Sequence, residues 1–490
     1  MDIAASVLEL IGETPLVRLD RVGAGVGAAV VAKLETTNPG GSVKDRAALG
    51  MLEAAERDGL IGPGSTIVEK TSGNTGIGLA IVSALRGYRC IFVMTEKAAP
   101  EKVALLRAYG SEVIVCPVGL ADDDPRSPTA VTKRLLVEVP DSFRPDQYEN
   151  PANPAFHERT TGPEIWRQTD GTVTHFVATA GTGGTIVGTG RFLKSMNPQV
   201  QVVVADPEGS VYSGGAGRPY LVEGAGEDFW PGNYDPTIVD RVIAVSDRDS
   251  FATARRVARE EGLLIGGSCG TAVWAALEVA RSAAAGDLVV VLIPDSGRGY
   301  LSKIFDDTWM AEYGFSAAGG ATVGDITGAP FTVIDPAMTV TEALAVLRDA
   351  GRSVAPVIKG RPPYSAAEVI GSIDGDALAN LVALDPTLRD TTATSVMDPR
   401  LPRLGIGESW ARAAEVLASV PAAVVHDGGR PVALVTRADL GPVSRSVEGR
   451  SGPVSRSVEG RSGPVPRSVE GRSGPVPRSV EGRSGPGSQR

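Results

Sequence analysis

Short apolar runs alternate with amphipathic stretches over roughly the first 315 residues of the chain. The apolar runs are rich in β-branched residues and predict strands, whereas apolar positions at three- and four-residue spacing predict helices. Strands and helices in alternation are typical of an α/β fold with mostly parallel sheets. The predicted strands span residues 30–34, 66–68, 90–94, 112–116, 175–178, 200–205 and 288–293. The predicted helices span residues 43–57, 78–86, 101–109, 186–195, 249–261 and 271–285.

A shorter pattern occurs twice between residues 322 and 440. Residues 323–382 predict helix, strand, helix, strand, helix, with a helix opening at 339–344 and a strand at 356–358. Residues 395–440 repeat the plan in shorter form. The chain is therefore predicted to have one α/β domain at 1–315 and a second, internally repeated domain at 322–440.

The last fifty residues repeat an eleven-residue unit, first seen as GPVSRSVEGRS at residues 441–451. Each unit contains Gly-Pro, a second glycine and few aliphatic positions to bury, so residues 441–490 are predicted to be disordered. Two interpretations remain open, a functional basic arm and a neutral expansion of a short coding repeat.

Composition and charge exclude several classes of protein. The 490 residues are 42% hydrophobic, enough for a large core, and their net charge of −10 does not suggest nucleic-acid binding. Neither a long apolar run nor a basic segment followed by an apolar one is present, so a cytoplasmic protein without a membrane partner is expected. Three cysteines without CxxC spacing and three scattered histidines argue against disulfides and against a metal site.

Lys44 follows Gly-Gly-Ser-Val and lies in the first turn of the predicted helix 43–57. The positive end of a helix dipole disfavours the ammonium form of a lysine at that position. Such a placement suits an amine that acts as a nucleophile or forms a Schiff base. The alternative interpretation is a solvated surface lysine. Three glycine-rich turns downstream favour the functional interpretation.

Each of these turns lies between a predicted strand and a predicted helix. Residues 71–76 (TSGNTG) supply hydroxyls, helix N-terminal N–H groups and the amide of Asn74, which together can hold a carboxylate and a ring substituent. Residues 181–185 (GTGGT) can hold a monophosphate without a lysine. Residues 266–270 (GGSCG) place Ser268 either as a helix cap or as a hydroxyl facing a neutral ring nitrogen. Cys269 lacks an obvious base, which argues against catalysis by its thiol.

Together the motifs offer an amine, a carboxylate cradle, a monophosphate cradle and a hydroxyl for a ring nitrogen. Pyridoxal 5′-phosphate (PLP) handling an amino acid requires these four groups, so PLP is the predicted cofactor. Residues 3–315 resemble the cysteine synthase/cystathionine β-synthase family of fold-type II PLP enzymes, whose two α/β subdomains are similar to those of the tryptophan synthase β-subunit. The resemblance implies that Lys44 carries the PLP, that Asn74 contacts its 3′-oxygen and that Ser268 faces the pyridine nitrogen. It also implies a phosphate loop of Gly181, Thr182, Gly183, Gly184 and Thr185, and a substrate-carboxylate set of Thr71, Ser72, Thr75 and Gln147.

Several stretches are more similar to the cystathionine β-synthase branch than to simple cysteine synthases, namely residues 206–215, 222–229, 261–270 and 293–310. Tyr148, directly after Gln147, favours the same branch. The chain departs from the family pattern at Lys70, where proline is usual, and at Gly299, where asparagine is common; Lys70 is close enough to the site to alter the preference for an acceptor. The haem-binding extension of animal members is absent, so a haem-free enzyme of bacterial type is expected. Dimers are usual in the family, so a homodimer or higher homo-oligomer is expected.

Residues 322–440 resemble a tandem pair of CBS domains, a regulatory module that often binds adenosyl ligands. Thr436 and Asp439 match the hydroxyl and ribose-binding positions of the second repeat, whereas Asp374 and Ala377 occupy those positions in the first. S-adenosylmethionine or an adenine nucleotide is therefore a predicted ligand, and a module that only packs or dimerises is the alternative.

The resemblance implies a β-replacement reaction on small amino-acid substrates. Lys44 removes the α-proton of L-serine, the hydroxyl leaves, and a homocysteine thiolate adds to give cystathionine. A serine at the ring nitrogen keeps the pyridine unprotonated, which suits elimination better than transamination. Three alternatives remain, namely cysteine synthesis from O-acetylserine and sulfide, deamination of serine or threonine, and a non-catalytic sensor of adenosyl ligands.

Overall fold

A computed structural model of the chain describes residues 3–71, 73–96, 98, 100–117, 120, 123–316, 321–327 and 331–443. The described residues up to Gly441 belong to one compact unit. From residue 444 onward, the repeats predicted to be disordered lie outside the described residues.

The helices and strands of the first 315 residues alternate as the hydrophobic pattern predicts. The strands are β1 (Leu16–Arg18), β2 (Ala29–Leu34), β3 (Thr66–Lys70), β4 (Arg89–Thr95), β5 (Glu112–Cys116), β6 (Ser142–Phe143), β7 (His175–Thr179), β8 (Gln201–Pro207), β9 (Arg241–Val245) and β10 (Leu288–Ile293). The α-helices are α1 (Lys44–Arg57), α2 (Asn74–Arg86), α3 (Pro100–Ala108), α4 (Pro128–Glu138), α5 (Ala152–Arg159), α6 (Thr161–Gln168), α7 (Gly184–Met196), α8 (Asp247–Glu260), α9 (Gly267–Ser282) and α10 (Asp307–Glu312).

Two sheets form the framework of this region. The larger sheet has the order β1-β2-β10-β7-β8-β9, with β1 antiparallel to β2 and the other neighbours parallel. The smaller sheet has the order β5-β4-β3-β6 and is parallel. The predicted α/β fold with mostly parallel sheets is confirmed. Alternate residues of the central strands are buried on opposite faces, because helices cover both sides of each parallel sheet.

Helix packing explains why the central strands are apolar throughout. Helices α8 and α9 pack on one face of the larger sheet, against residues such as Val203 and Val291. Helices α6 and α7 pack on the other face, against residues such as Phe176 and Val204. Helices α1 and α2 pack on the smaller sheet around Ile67 and Phe92.

The structure differs most from the sequence prediction at two helix starts, each by four residues. Helix α2 begins at Asn74 rather than at residue 78, and α9 begins at Gly267 rather than at residue 271. In both cases the glycine-rich turn itself forms the first helical turn, because glycine tolerates the close approach of neighbouring backbone. A Cβ at Gly270, for example, would lie 1.9 Å from the carbonyl oxygen of Ser250. Ser268 and Cys269 are therefore helical residues.

Residues 321–443 form two small sheets with separate cores. An antiparallel pair of strands packs against helices around Ile334 and Leu347, and a three-stranded sheet packs around Leu404 and Val425. The strands are β11 (Val354–Ile358), β12 (Val369–Asp374), β13 (Arg403–Gly405), β14 (Ala422–Asp427) and β15 (Arg430–Thr436), and the helices are α11 (Val340–Asp349), α12 (Gly375–Leu384), α13 (Ala393–Val396) and α14 (Trp410–Leu417).

The two repeats exchange their leading segments. Val323, from the start of the first repeat, is fully buried in the core of the second sheet, and its N–H donates to the carbonyl of Glu408 at 2.8 Å. Ala393 is fully buried in the core of the first. Each core is therefore built from residues that are not consecutive in sequence, which the plan of two successive repeats did not predict.

Within the part of the chain that the structure describes, none of the helices combines the length and the apolar character that a membrane span requires.

A fully buried network of charges fixes the start of α1. The Arg46 guanidinium donates to both carboxylate oxygens of Glu35, at 2.7 and 2.9 Å, and to both of Glu164, at 2.7 Å each. Lys33 donates to Glu164 at 2.7 Å and to the carbonyl of Thr14 at 2.6 Å. Burial alone would raise the pKa of Glu164, but the charges of Arg46 and Lys33 lower it to about 2. The network ties β2, α1 and α6 together two residues from Lys44.

Replacing Arg46 with methionine is expected to lower the free energy of unfolding by about 3–5 kcal/mol, because the carboxylates of Glu35 and Glu164 would lose their main partner while remaining buried. Urea unfolding of the apo-protein, followed by circular dichroism, measures the change. Arg191→Met is the matched control, since its ion pair with Asp235 is partly solvated and should contribute little. Equal losses in the two variants would contradict the assignment of a structural role to the buried network.

Candidate active site

The N-terminal ends of α1, α2 and α9 and the turn before α7 meet at one cavity of about 240 Å³. It lies at the carboxyl ends of β3, β7 and β10, where ligands bind in open parallel sheets. Several residues singled out from the sequence line this cavity, namely Lys44, Asn74, Thr75, Gln147, Gly181, Thr182 and Ser268. Residues that are more than 200 positions apart in sequence are thus brought together.

Lys44 is the first residue of α1 and its side chain faces the cavity. Burial lowers its pKa, and the negative charges of Asp295 and Glu227 only partly oppose that effect. The local fold produces this placement, because Gly40 packs on the Asp45 side chain: a Cβ at Gly40 would lie 2.3 Å from Asp45 Oδ1. A lysine with a lowered pKa has a larger fraction of neutral amine, which is the nucleophilic and basic form.

The 181–185 turn leads into α7, whose first-turn N–H groups have no intrahelical acceptor. Gly183 has a left-handed backbone (φ 83°), and a Cβ on Gly184 would lie 2.0 Å from Asn153 Oδ1. Thr182 and Thr185 present hydroxyls, and Thr185, Gly183 and Lys44 border a smaller void next to the main cavity. Backbone donors, hydroxyls and a positive helix end together form an anion cradle.

The loop 71–76 and Gln147 form the second cradle. Thr75 Oγ1 donates to Gln147 Oε1 at 2.6 Å, which leaves the Gln147 amide N–H groups available to an anion. The Thr71 hydroxyl accepts hydrogen bonds from the N–H groups of Gly73 and Gly76, so in this structure it stabilises the conformation of the loop. Ser72 lies outside the described residues.

Ser268 and Cys269 lie in the first turn of α9. The Ser268 hydroxyl lines the cavity, whereas the Cys269 thiol is fully buried and donates to the carbonyl of Asp295 at 3.2 Å. Burial raises the pKa of the Cys269 thiol well above its usual value, which makes it a poor nucleophile. Asn74 Nδ2 donates to Asp295 Oδ2 at 2.8 Å.

Other residues of the site were not identified from the sequence. Asn153 Nδ2 donates to the carbonyl of Gln147 at 2.9 Å and to Thr182 Oγ1 at 3.0 Å, and so joins the two cradles. His157 contacts the hydroxyls of Thr161 and Thr185, and burial lowers its pKa to about 3, so it is neutral. The sequence NPANP around Asn153 was the available signal, but its role depends on contacts that only the fold creates.

A further wall of the cavity comes from residues 222–227. The Asp247 carboxylate holds the start of this wall by accepting from the N–H groups of Leu221 and Val222 at 2.9 and 3.0 Å. Asp247 lies beside the second region, since a Cβ on Gly429 would be 3.7 Å from Asp247 Oδ2. The wall of the site therefore rests against the 321–443 region.

A second cleft, of about 580 Å³, lies between the two halves of the 321–443 region. Thr436 and Asp439 line it together with Arg352, Ser353 and Ser419. Asp439 Oδ2 accepts from the N–H and the hydroxyl of Thr436, both at 2.7 Å. At the corresponding point of the first repeat, Asp374 caps α12 by accepting from the N–H groups of Asp376 and Ala377.

The residues of the main cavity fit PLP. A Cβ would fill the cradle at Gly184, the first turn of α7 offers donors to a phosphate, and a buried lysine faces the same space. The described residues include no cluster of three or more His, Cys, Asp or Glu side chains that could hold a metal ion.

Comparison with known proteins identifies the class to which the chain belongs. Residues 7–295 match the family described as "Pyridoxal-phosphate dependent enzyme". The chain belongs to this family and is a PLP-dependent enzyme, which confirms the predicted cofactor.

Within the family, the chain groups with proteins named cystathionine beta-synthase. The rabbit protein of that name (Oryctolagus cuniculus) is 42% identical over 405 residues, which cover 78% of this chain and 72% of the relative. The honeybee protein (Apis mellifera) is 43% identical over 320 residues, which cover 64% of each chain.

Two solved structures are similar to the N-terminal part of the fold. A hydrogen sulfide-producing enzyme from Fusobacterium nucleatum is 37% identical with a TM-score of 0.58, and the match covers 61% of this chain and 98% of that one. O-ureido-L-serine synthase is 38% identical with a TM-score of 0.58, and the match covers 63% of this chain and 99% of that one. The shared fold is therefore that of the α/β region.

Replacing Gly184 with alanine is expected to weaken PLP binding by about 10- to 100-fold, because a Cβ there displaces Asn153 and with it the donors of the phosphate cradle. PLP titration followed by visible absorbance measures the dissociation constant. Gly62→Ala is the matched control, since no atom lies within 4 Å of a Cβ at that position. Unchanged affinity in the Gly184 variant would show that the turn does not bind the phosphate.

Proposed function

We propose that the chain condenses L-serine with L-homocysteine to give L-cystathionine and water. The observation that carries the proposal is one cavity in which a buried lysine faces both an anion cradle on α7 and the Thr75–Gln147 pair. The relatives named cystathionine beta-synthase support the choice of this reaction within the PLP-dependent family.

Each cavity residue has a defined task in this proposal. Gly181–Thr185 and the first turn of α7 would hold the PLP phosphate, Lys44 would carry its aldehyde carbon, Asn74 would contact its 3′-oxygen and Ser268 would face its ring nitrogen. Bound PLP supplies an electron-withdrawing ring that stabilises negative charge at the substrate α-carbon.

The substrate carboxylate binds at Thr75 and Gln147, where an amide and helix N-terminal N–H groups donate to it. Thr71 and Ser72 belong to the same loop and complete the proposed set. The Lys44 amine, whose pKa is lowered by burial, takes the α-proton of serine.

The nearest alternative is cysteine synthesis from O-acetylserine and sulfide, since the PLP-binding residues would be the same. Product analysis separates the two. Purified protein is supplied with serine or O-acetylserine, crossed with homocysteine or sulfide, with and without S-adenosylmethionine. Cystathionine from serine and homocysteine as the fastest product is expected, and cysteine from O-acetylserine and sulfide as the dominant product would overturn the proposal.

For residues 322–440 we propose a tandem CBS module that binds an adenosyl ligand in the cleft lined by Thr436 and Asp439. The carboxylate of Asp439 suits ribose hydroxyls, and Arg352 and Arg437 at the same cleft offer donors to a negatively charged group. The cytoplasmic location and the homo-oligomeric state stay predictions from the sequence.

Replacing Lys44 with alanine is expected to abolish both turnover and the visible absorbance of bound PLP, because no other amine takes its place at the start of α1. Absorbance spectra, together with borohydride reduction and mass spectrometry of the labelled peptide, provide the measurement. Lys194→Ala, on the surface of α7, is the control. Retention of the absorbance or of turnover in the Lys44 variant would contradict the assignment.

Replacing Asp439 with alanine is expected to weaken binding of S-adenosylmethionine or an adenine nucleotide by about 10-fold or more, through the loss of one charge-assisted contact. Isothermal titration of the full chain with S-adenosylmethionine, ATP and AMP measures binding. Asp376→Ala is the matched control, because Asp376 lies in α12 and is not among the residues that line the cleft. Absence of binding by the unmodified chain would favour a module that only packs.

A further inference from the structure

Three acidic side chains line the active-site cavity, and two of them are fully engaged. Glu223 forms ion pairs with Lys102 and Lys303. Asp295 accepts hydrogen bonds from Asn74 at 2.8 Å and from the Tyr300 hydroxyl at 2.7 Å. The charges of Lys102 and Lys303 lower the pKa of Glu223 against the effect of burial, and the Asp295 carboxylate is occupied by its two hydrogen-bond donors.

Glu227 is the third acidic side chain of the cavity, and its surroundings differ from those of Glu223 and Asp295. Among the residues that the structure describes, no lysine or arginine forms an ion pair with its carboxyl group; its side-chain partner is the Tyr148 hydroxyl. Its backbone is held firmly, since its N–H donates to Ser210 Oγ at 3.1 Å and its carbonyl accepts from the Val211 N–H at 3.0 Å. The carboxyl group lies beside the anion cradle, where a Cβ on Gly181 would be 3.6 Å from Glu227 Oε1.

The electrostatic surroundings favour a carboxyl group that holds a proton near neutral pH. Burial and the neighbouring charge of Asp228 together raise the pKa of Glu227 to about 7, against the hydrogen bond from Tyr148 and the charges of Lys44 and Lys70, which lower it. The other titratable groups that act on it are phenols whose own pKa values are raised, so they stay neutral; they belong to Tyr148, Tyr212 and Tyr220. A bound phosphate next to Gly181 would add negative charge and favour the protonated form still more.

The proposed reaction needs such a group. Serine carries a hydroxyl at its β-carbon, and hydroxide is a poor leaving group unless it receives a proton as the carbon–oxygen bond breaks. The Lys44 amine takes up a proton from the α-carbon in the same half-reaction. With a separate acid in the cavity, Lys44 can remove the α-proton while the acid delivers a proton to the leaving hydroxyl.

We propose that Glu227 is a catalytic residue that donates a proton to the leaving hydroxyl of serine. This inference rests on the proposed function. The electron pair left at the α-carbon forms the α–β double bond, the β-carbon–oxygen bond breaks with its electron pair on oxygen, and the Glu227 proton converts that oxygen to water. When the acceptor adds, its sulfur forms the new bond to the β-carbon as the α–β double bond opens, and the α-carbon takes back the proton held by Lys44. The thiol proton returns Glu227 to its acid form.

A comparison of two donors tests the role directly. Chloride leaves β-chloro-L-alanine without a proton, whereas the serine hydroxyl needs one, and the two molecules are similar in size. The donor half-reaction, followed by rapid-mixing absorbance without acceptor, is expected to slow by about 100-fold or more for serine in Glu227→Gln. With β-chloro-L-alanine the same variant is expected to react within a few-fold of the unmodified enzyme.

Asp228→Asn is the matched control. It removes the neighbouring carboxylate, but Asp228 is exposed and is not among the residues that line the cavity. Because the charge of Asp228 raises the pKa of Glu227, the variant's ratio of serine to chloroalanine rates is expected to equal that of the unmodified enzyme at the acid limit and to begin falling at a lower pH. That ratio should fall in the unmodified enzyme as the pH rises through about 7, where Glu227 loses its proton, and should stay flat in Glu227→Gln.

A readout independent of turnover uses the apo-protein. Carbon-13 NMR of protein labelled at glutamate carboxyl carbons is expected to show a resonance that titrates near neutral pH and is missing from Glu227→Gln; burial also raises the pKa of Glu69 to about 7, and its resonance should remain in the variant. Equal slowing with both donors, or no slowing with serine, would overturn the catalytic role. If the unmodified enzyme reacts with neither donor, it is the proposed function that has failed rather than the assignment of Glu227.

Discussion

The rest of the site depends on the ion pairs of the Arg46 guanidinium with the carboxylates of Glu35 and Glu164. Each charge is fully or almost fully buried, so the network is stable only while every member keeps its partners. It joins the end of β2, the first turn of α1 and α6 in a single geometry. Because Lys44 lies two residues before Arg46 on α1, the same network sets where the amine enters the cavity.

Parallel sheet topology explains why one cavity can serve several tasks. The carboxyl ends of β3, β7 and β10 lie at the cavity, and the glycine-rich turns that follow β3 and β7 begin helices whose N-terminal regions line it. Helix N-termini carry partial positive charge and unpaired N–H groups, so the site attracts anions at two places without using a cationic side chain. The lysine is thereby left free for chemistry rather than for charge neutralisation.

The wall formed by residues 222–227 connects the two regions of the compact unit. It presents Glu223 and Glu227 to the cavity, and Asp247 anchors its N-terminal end next to Gly429 and the Arg430–Glu208 ion pair. Burial raises the pKa of Asp247 to about 6, and the hydrogen bonds from the two N–H groups oppose that rise by stabilising the charged carboxylate. A shift at this contact would act on the cavity wall directly.

The sequence by itself determined the α/β alternation and the local motifs, because a strand, a glycine-rich turn and a helix start are encoded by consecutive residues with their own periodicity and backbone preferences. Lys44 and the 181–185 turn are of this kind. Only the tertiary structure decided the contacts between distant segments: Thr75 with Gln147, Asn153 between the two cradles, Glu227 beside Gly181, and the exchange of Val323 and Ala393 between the repeats. Such pairs leave no periodic signal, since their partners are chosen by the packing of sheets and helices and not by neighbours in the chain.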